Sequence, residues 1–397
     1  MGATRAFVVT LARPALPRAL RDAAVRLTKA PDFSWHDALN LAQRSGVHGA
    51  VARHLLDERA LDAPLEIRRL ASACLLRLAA QEEATTRTLR PILQQLDVRG
   101  IQTVLLKGSA LLGRVYSPGQ RRLGDVDLLI RPNDVSAAVS TFEAFGYDTP
   151  NGPPAPRTSH QVELCRSGAM TVDLHWALVH PRGQAFTLDA RRVLSRATAT
   201  EGPLTPALAA RCEDVFVHLC TQLLGDGGRF DLFRVADLVA LLAHGLDLDD
   251  VLDEAGRARA LTAVYVGTQI AERVLAPDAE RLRYQLEDRV GFRARKIARL
   301  LSSYETIGGL RCVRRGTSVA LLPLSYDRKR DGLRRLARMM DTHPDTRFDL
   351  QLEDGTTRAR VIADAALSAG ALMLGPVTAF DWHRWLTYDC LREESEP

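Results

Sequence analysis

RRLGDVDLLIRP, residues 121–132, alternates Val126, Leu128 and Ile130 with Asp125, Asp127 and Leu129. That period of two is the signature of a β-strand with one polar end. Residues two apart on a strand project from the same face, so the Asp125 and Asp127 carboxylates point together. Two such groups at close range repel each other and need compensating positive charge to stay ionised. A divalent cation is the usual compensation, and hard oxygen donors favour magnesium or manganese. Asp-x-Asp is by itself a common tripeptide, so its meaning depends on what surrounds it.

Upstream, IQTVLLKG (101–108) reads as a short strand running into Lys107-Gly108-Ser109, with ALLGRVY after it reading as the start of a helix. At such a junction glycine permits close backbone approach, and amides at a helix N-terminus together with a Ser hydroxyl hold phosphate oxygens. The GxxxxGK[ST] pattern of a P-loop is absent. Lys107 would add a compact charge for a triphosphate, in a chain where only Lys29, Lys107, Lys296 and Lys329 are lysines among 53 basic residues. Arg121 and Arg122 are candidate phosphate clamps.

Downstream, Pro132-Asn133 stops the acidic strand and opens a helix whose Val135, Ala138, Val139, Phe142 and Phe145 share a face, closed by Gly146. After a Pro/Gly/Asn-rich loop, QVELC (161–165), the turn Arg166-Ser167-Gly168 and MTVDLHWAL (170–178) predict a β-hairpin. Asp173 lies on its second arm as a third carboxylate. If that arm pairs beside the Asp125 strand, Asp125, Asp127 and Asp173 complete a two-metal site, and Asp173 is placed to take a nucleophile's proton. His175 shares the Asp173 face and is grouped with the nucleotide-binding residues; it contacts substrate, orients a carboxylate or packs as a structural histidine.

The rest of the chain is mostly helical in pattern. Trp35 to Leu56 predicts two short helices broken near Gly46. Ile67, Leu70, Ala71, Cys74 and Leu78 repeat at helical spacing, as do Leu89, Ile92, Leu93 and Leu96 before Gly100. Phe216 to Leu224 and Val235 to Leu242 form further amphipathic faces, and a hairpin is expected around Asp354-Gly355. The expected organisation is an N-terminal helical region over 1–100, an α/β core over 101–200, a helical region covering the cleft over 201–300, and a C-terminal region of unassigned role over 301–397.

Composition limits the classes to consider. With 46% hydrophobic and 25% charged residues, the 397-residue chain is an ordinary globular one. No apolar run reaches the roughly 20 residues of a membrane span, and the N-terminus lacks the charged leader and cleavage site of a signal peptide, so a cytoplasmic protein is expected. Cys74, Cys165, Cys212, Cys220, Cys312 and Cys390 show no metal spacing and read as reduced thiols. The net charge of +5 is spread among acids without a basic block, and aromatics are only 6% of the chain. That pattern does not indicate nucleic acid as the partner.

Taken together, LLKGSALLGRVY, RRLGDVDLLIRPNDVSAAVSTFEAFGY and VDLHW resemble the DNA polymerase β-like nucleotidyltransferase superfamily. Within it they resemble a family of uncharacterised bacterial nucleotidyltransferases with Lys-Gly at the usual Gly-Gly/Gly-Ser position. The resemblance spans roughly residues 30–260 and includes the flanking helices. The gap from Ser109 to Asp125 is longer than in the minimal superfamily motif. The resemblance implies an α+β fold, a mixed sheet between N- and C-terminal helical regions. It also implies transfer of an NMP from an NTP co-substrate with Mg2+ or Mn2+ and release of pyrophosphate. A small molecule or peptide is the expected acceptor. The alternatives are an RNA- or protein-modifying, toxin-like enzyme and an inactive partner-binding scaffold.

Overall fold

The computed structural model describes residues 2–152, 159–179, 186–200, 202–225, 231–273, 278–303 and 326–328. The expected C-terminal hairpin, and nearly all of the expected region 301–397, lie outside these residues.

Alternating apolar residues and the turns between them build a mixed five-stranded sheet in the order β3-β4-β2-β1-β5. Its strands are β1 (Val104–Leu105), β2 (Val126–Leu129), β3 (Gln161–Leu164), β4 (Val172–His175) and β5 (Leu208–Ala209). β1 is antiparallel to β2 and parallel to β5. β4 is parallel to β2 and antiparallel to β3. The predicted hairpin is therefore present, with Gly168 at φ 73° in its turn, and its second arm lies directly beside the acidic strand. The fifth strand comes from beyond residue 200, so the sheet crosses the expected boundary between the core and the second helical region. Two residues are too few for a period to show in sequence.

Helices surround the sheet, giving the α+β class. On the N-terminal side are α1 (Ala3–Leu11), α2 (Arg18–Leu27), α3 (Trp35–Arg44), α4 (His48–Asp57) and the 34-residue α5 (Leu65–Val98). The break between α3 and α4 falls where Gly46 takes a positive φ of 72°, and Gly100, at 71°, follows the end of α5. Within the core, α6 (Val135–Ala144) follows β2. Its Phe142 is fully buried in the same apolar cluster as Ile92 of α5 and Leu128 and Leu174 of the sheet. Then come α7 (Ala190–Arg196), α8 (Cys212–Gly225), α9 (Leu232–His244), α10 (Leu248–Arg257), α11 (Leu261–Arg273), α12 (Asp278–Glu287) and α13 (Phe292–Ser303). Asp327 caps the first turn of α11, accepting from the Leu261 and Thr262 amides at 3.0 and 2.8 Å. Among the described residues no helix is long and apolar enough to cross a membrane.

One expectation fails. ALLGRVY does not begin a helix; only a single 3-10 turn forms, over Ser109–Leu111. Gly113 turns at φ 72°, and its amide donates back to the Tyr116 carbonyl at 3.0 Å. The chain doubles back here because the residues after it have another task. The long link from Ser109 to Asp125 docks on the N-terminal helices. The Gly119 amide donates to Glu82 of α5 at 3.1 Å, and the Gln120 side chain donates to the Pro14 carbonyl at 2.6 Å. Gly49 of α4 meets this link so closely that a Cβ there would lie 2.5 Å from the Gly119 and Gln120 carbonyl oxygens. We expect Gly49→Ala to push the link off α4 and lower stability by about 1–3 kcal/mol, the usual cost of overpacking, read as a fall in the denaturant midpoint.

Candidate active site

The site is built where β2 and β4 run side by side. Their register sets Asp127 opposite Asp173, and β3 sets Glu163 opposite Asp173, so the three acids form one row across the sheet. The next row places Leu129, His175 and Gln161 together. Directly opposed residues share a face, and this pairing brings the β4 acid to the acidic strand.

Asp127 is the hub. It is 3% exposed, and its Oδ1 accepts from Lys107 Nζ at 2.6 Å and from His175 Nε2 at 2.9 Å. Burial pushes the Asp127 carboxyl up, but the Lys107 ammonium and the His175 contact outweigh it and hold the group well below the usual carboxylate range. An ionised carboxylate only accepts, so His175 Nε2 carries the proton in that contact. His175 is 1% exposed, and its Nδ1 has no hydrogen-bond partner. The Asp173 Oδ2 accepts from Gln161 Nε2 at 2.8 Å. Partial desolvation and the Asp127 charge push Asp173 up despite nearby positive charge. Asp125 lies just before the strand proper and is exposed. Its crowded surroundings and then the Asp127 charge push it up as well.

Lys107 reaches Asp127 from a left-handed backbone, φ 44°, a conformation that costs a non-glycine residue about 1–2 kcal/mol. The ammonium–carboxylate contact it secures is what holds it there. The Ser109 hydroxyl is buried between two carbonyl oxygens, Leu106 at 2.7 Å and Asp127 at 3.1 Å. It stitches the end of β1 to β2 and does not face the carboxylates. A single 3-10 turn also lacks the aligned dipole of a helix N-terminus, so any anion held at this turn would depend on Lys107 and the turn's own amides.

Arg121 is not a free phosphate clamp. Its guanidinium makes a paired contact with Asp237 of α9, Nε to Oδ1 at 2.9 Å and Nη2 to Oδ2 at 2.8 Å. Tyr116 also donates to Asp237 Oδ1, at 3.0 Å. The guanidinium lies flat against Gly108, where a Cβ would fall 2.1 Å from it. Gly108 therefore makes room for an arginine that bolts α9 to the Lys-Gly turn. Arg122 beside it is exposed.

Sequence reasoning missed Gln161, Glu163, Asp237 and His218. The hairpin alternation already placed Gln161 and Glu163 on the Asp173 face, so that signal was available. Asp237 sits on the buried face of an apolar helix, an unusual place for an acid, but its partner is 116 residues away. His218 of α8 hydrogen-bonds the Leu178 carbonyl at 3.1 Å. Burial, then the nearby Lys107 charge, pushes it down to about 3 and keeps it neutral.

The donors fit a divalent metal. One ligand atom each from Asp127, Asp173 and His175 lies within 4.8 Å of the others, and the buried set includes an imidazole nitrogen without a partner. Asp125 is outside that set. Without metal, the raised Asp125 carboxyl weakens the fold at high pH, because the folded state holds its proton more tightly than the unfolded chain. We therefore expect Asp125→Asn in chelator to raise the denaturation midpoint at pH 8. The gain should vanish at pH values below the ordinary carboxylate value of about 3.9, where both states are protonated.

A family model described as uncharacterised nucleotidyltransferase matches residues 31–276, more than half of the chain. No curated protein matches the chain significantly. The match spans the Lys-Gly turn, both acidic strands and α9, the parts from which the site is built, and the chain belongs to this family of nucleotidyltransferases.

Proposed function

We propose that the chain transfers an NMP from an NTP to a hydroxyl of a small molecule or peptide, releasing pyrophosphate. The observation that carries this reading is the register of Asp127 against Asp173 beside the Lys107-Gly108 turn. Asp125, Asp127 and Asp173 would hold magnesium or manganese, which when bound supplies Lewis-acid polarisation of the phosphates and lowers the pKa of the acceptor hydroxyl. Lys107, already aimed at the carboxylates, neutralises triphosphate oxygens at the same edge. Asp173, beside the Asp127 carboxylate on the neighbouring strand, takes the proton of the acceptor hydroxyl. The acceptor oxygen then bonds to the α-phosphorus, the α–β phosphoanhydride bond breaks, and pyrophosphate leaves.

A small acceptor is favoured because many arginines are committed internally. Arg121 pairs with Asp237, Arg192 with Glu254, Arg196 with Asp250 and Glu254, and Arg283 with Glu272. Charge spent on such pairs is not available to track a phosphate backbone.

Incubation with each NTP labelled at the α-phosphate, a metabolite extract and Mg2+ or Mn2+ tests the reading. Label should move to a small product with release of pyrophosphate, and Asp127→Asn should reduce transfer by more than about a hundredfold. Label on RNA or protein instead assigns the RNA- or protein-modifying alternative. No transfer and no metal-dependent NTP binding leaves the partner-binding scaffold.

A further inference from the structure

The groups gathered at this site that could hold a metal are not all oxygen donors. His175 is held by β4 in the row next to Asp127 and Asp173, and it is 1% exposed. An imidazole buried this deeply with Nδ1 unpartnered is unfavourable, because that nitrogen has lost its water and gained no partner. A hydrophobic side chain beside Leu129 would avoid that cost, so the ring is kept for what its nitrogens do. Its Nε2 stands 2.9 Å from Asp127 Oδ1; for that nitrogen to bind an ion, the ring proton it donates there passes to Nδ1, which no neighbour holds. Adjacent ligand atoms on an octahedral metal with bonds of about 2.1 Å lie about 3.0 Å apart. The spacing of imidazole and carboxylate is therefore already that of two neighbouring ligands. Asp173, steadied by Gln161 through its Oδ2, completes the set within 4.8 Å. Asp125, exposed just before β2, is outside it.

We propose that His175 is a metal ligand, making a centre of two carboxylates and one imidazole with Asp127 and Asp173 that selects transition dications over magnesium. The inference rests on the nucleotidyl-transfer reading only in expecting a metal here. Imidazole nitrogen contributes little to magnesium, which prefers oxygen and keeps its waters, and progressively more along manganese, cobalt and zinc. Lys107 adds to the discrimination. Its ammonium lies 2.6 Å from the same Asp127 oxygen and competes with an ion for it. A nitrogen donor offsets that competition for a transition dication, whereas magnesium gains almost nothing.

The experiment uses the full chain without nucleotide. Titration calorimetry with Mg2+, Mn2+ and Co2+ gives the affinity order, and pulsed EPR of the Mn2+-loaded protein reports nitrogen coupled to the metal. The expected result is affinity rising from Mg2+ to Co2+, a nitrogen coupling whose pattern changes on 15N-histidine labelling, and retention of that coupling in H160Q and H218Q. These variants replace the neighbouring histidines: the His160 ring centroid lies 5.6 Å from that of His175, and the His218 ring is close enough to feel the His175 charge. His175→Gln should weaken Co2+ binding by about 10–100-fold and Mg2+ binding far less. Because replacing a buried residue can unfold the sheet, the labelled wild-type spectrum with the two neighbouring variants decides the matter without H175Q. Manganese bound with no nitrogen coupling overturns the proposal and leaves nucleotidyl transfer standing. No dication binding by the wild type overturns the proposal and the metal-dependent reading of the function together.

Discussion

The buried Asp127 carboxylate, held between Lys107 and His175, is the interaction on which the site depends. A carboxylate taken out of water is unstable unless it is paired and hydrogen-bonded, and here its partners, an ammonium and an imidazole N–H, come from two different parts of the fold. Satisfying Asp127 therefore fixes the left-handed turn at Lys107, the ring of His175 on β4, and the register that brings Asp173 alongside. The Asp127 backbone is pinned as well, its carbonyl accepting from the Leu106 amide and the Ser109 hydroxyl. Side chain and main chain together make this residue the join between β1, β2 and β4.

Desolvation and then repulsion set the state of the remaining acids. Asp125 and Asp173 are both pushed up by desolvation and by the Asp127 charge. Their arrangement stores unfavourable electrostatics that cation binding would relieve, a pattern common at sites shaped for ligands rather than for stability.

A second constraint ties the site to its surroundings. The Arg121–Asp237 pair, closed by the Tyr116 hydroxyl, links the α9 helix to the Lys-Gly turn. The link that follows the turn is clamped to α4 and α5 through Gly49, Gly119 and Glu82. The long interval between Ser109 and Asp125 thus serves as the seam between the sheet and the N-terminal helices. It also explains why Gly108 carries no side chain: the Arg121 guanidinium occupies that space.

The sequence alone determined the acidic strand, the hairpin and the breaks at Gly46 and Gly100, because each is written in local periodicity and turn chemistry. Local pattern also misled. ALLGRVY has helical composition, yet the pull of the link onto α4 and α5 reduced it to a single turn. The two-residue β5 strand carried no period to read. What only the tertiary structure decided was the pairing of groups distant in the chain: Lys107 with Asp127, His175 with Asp127, and Arg121 with Asp237. Those pairings turned two expected phosphate ligands, Ser109 and Arg121, towards carbonyls and a carboxylate, and drew a histidine into the acidic cluster. The reason is physical. Periodicity states which face a side chain takes, whereas the partner that satisfies a buried charge is set by which elements pack against that face.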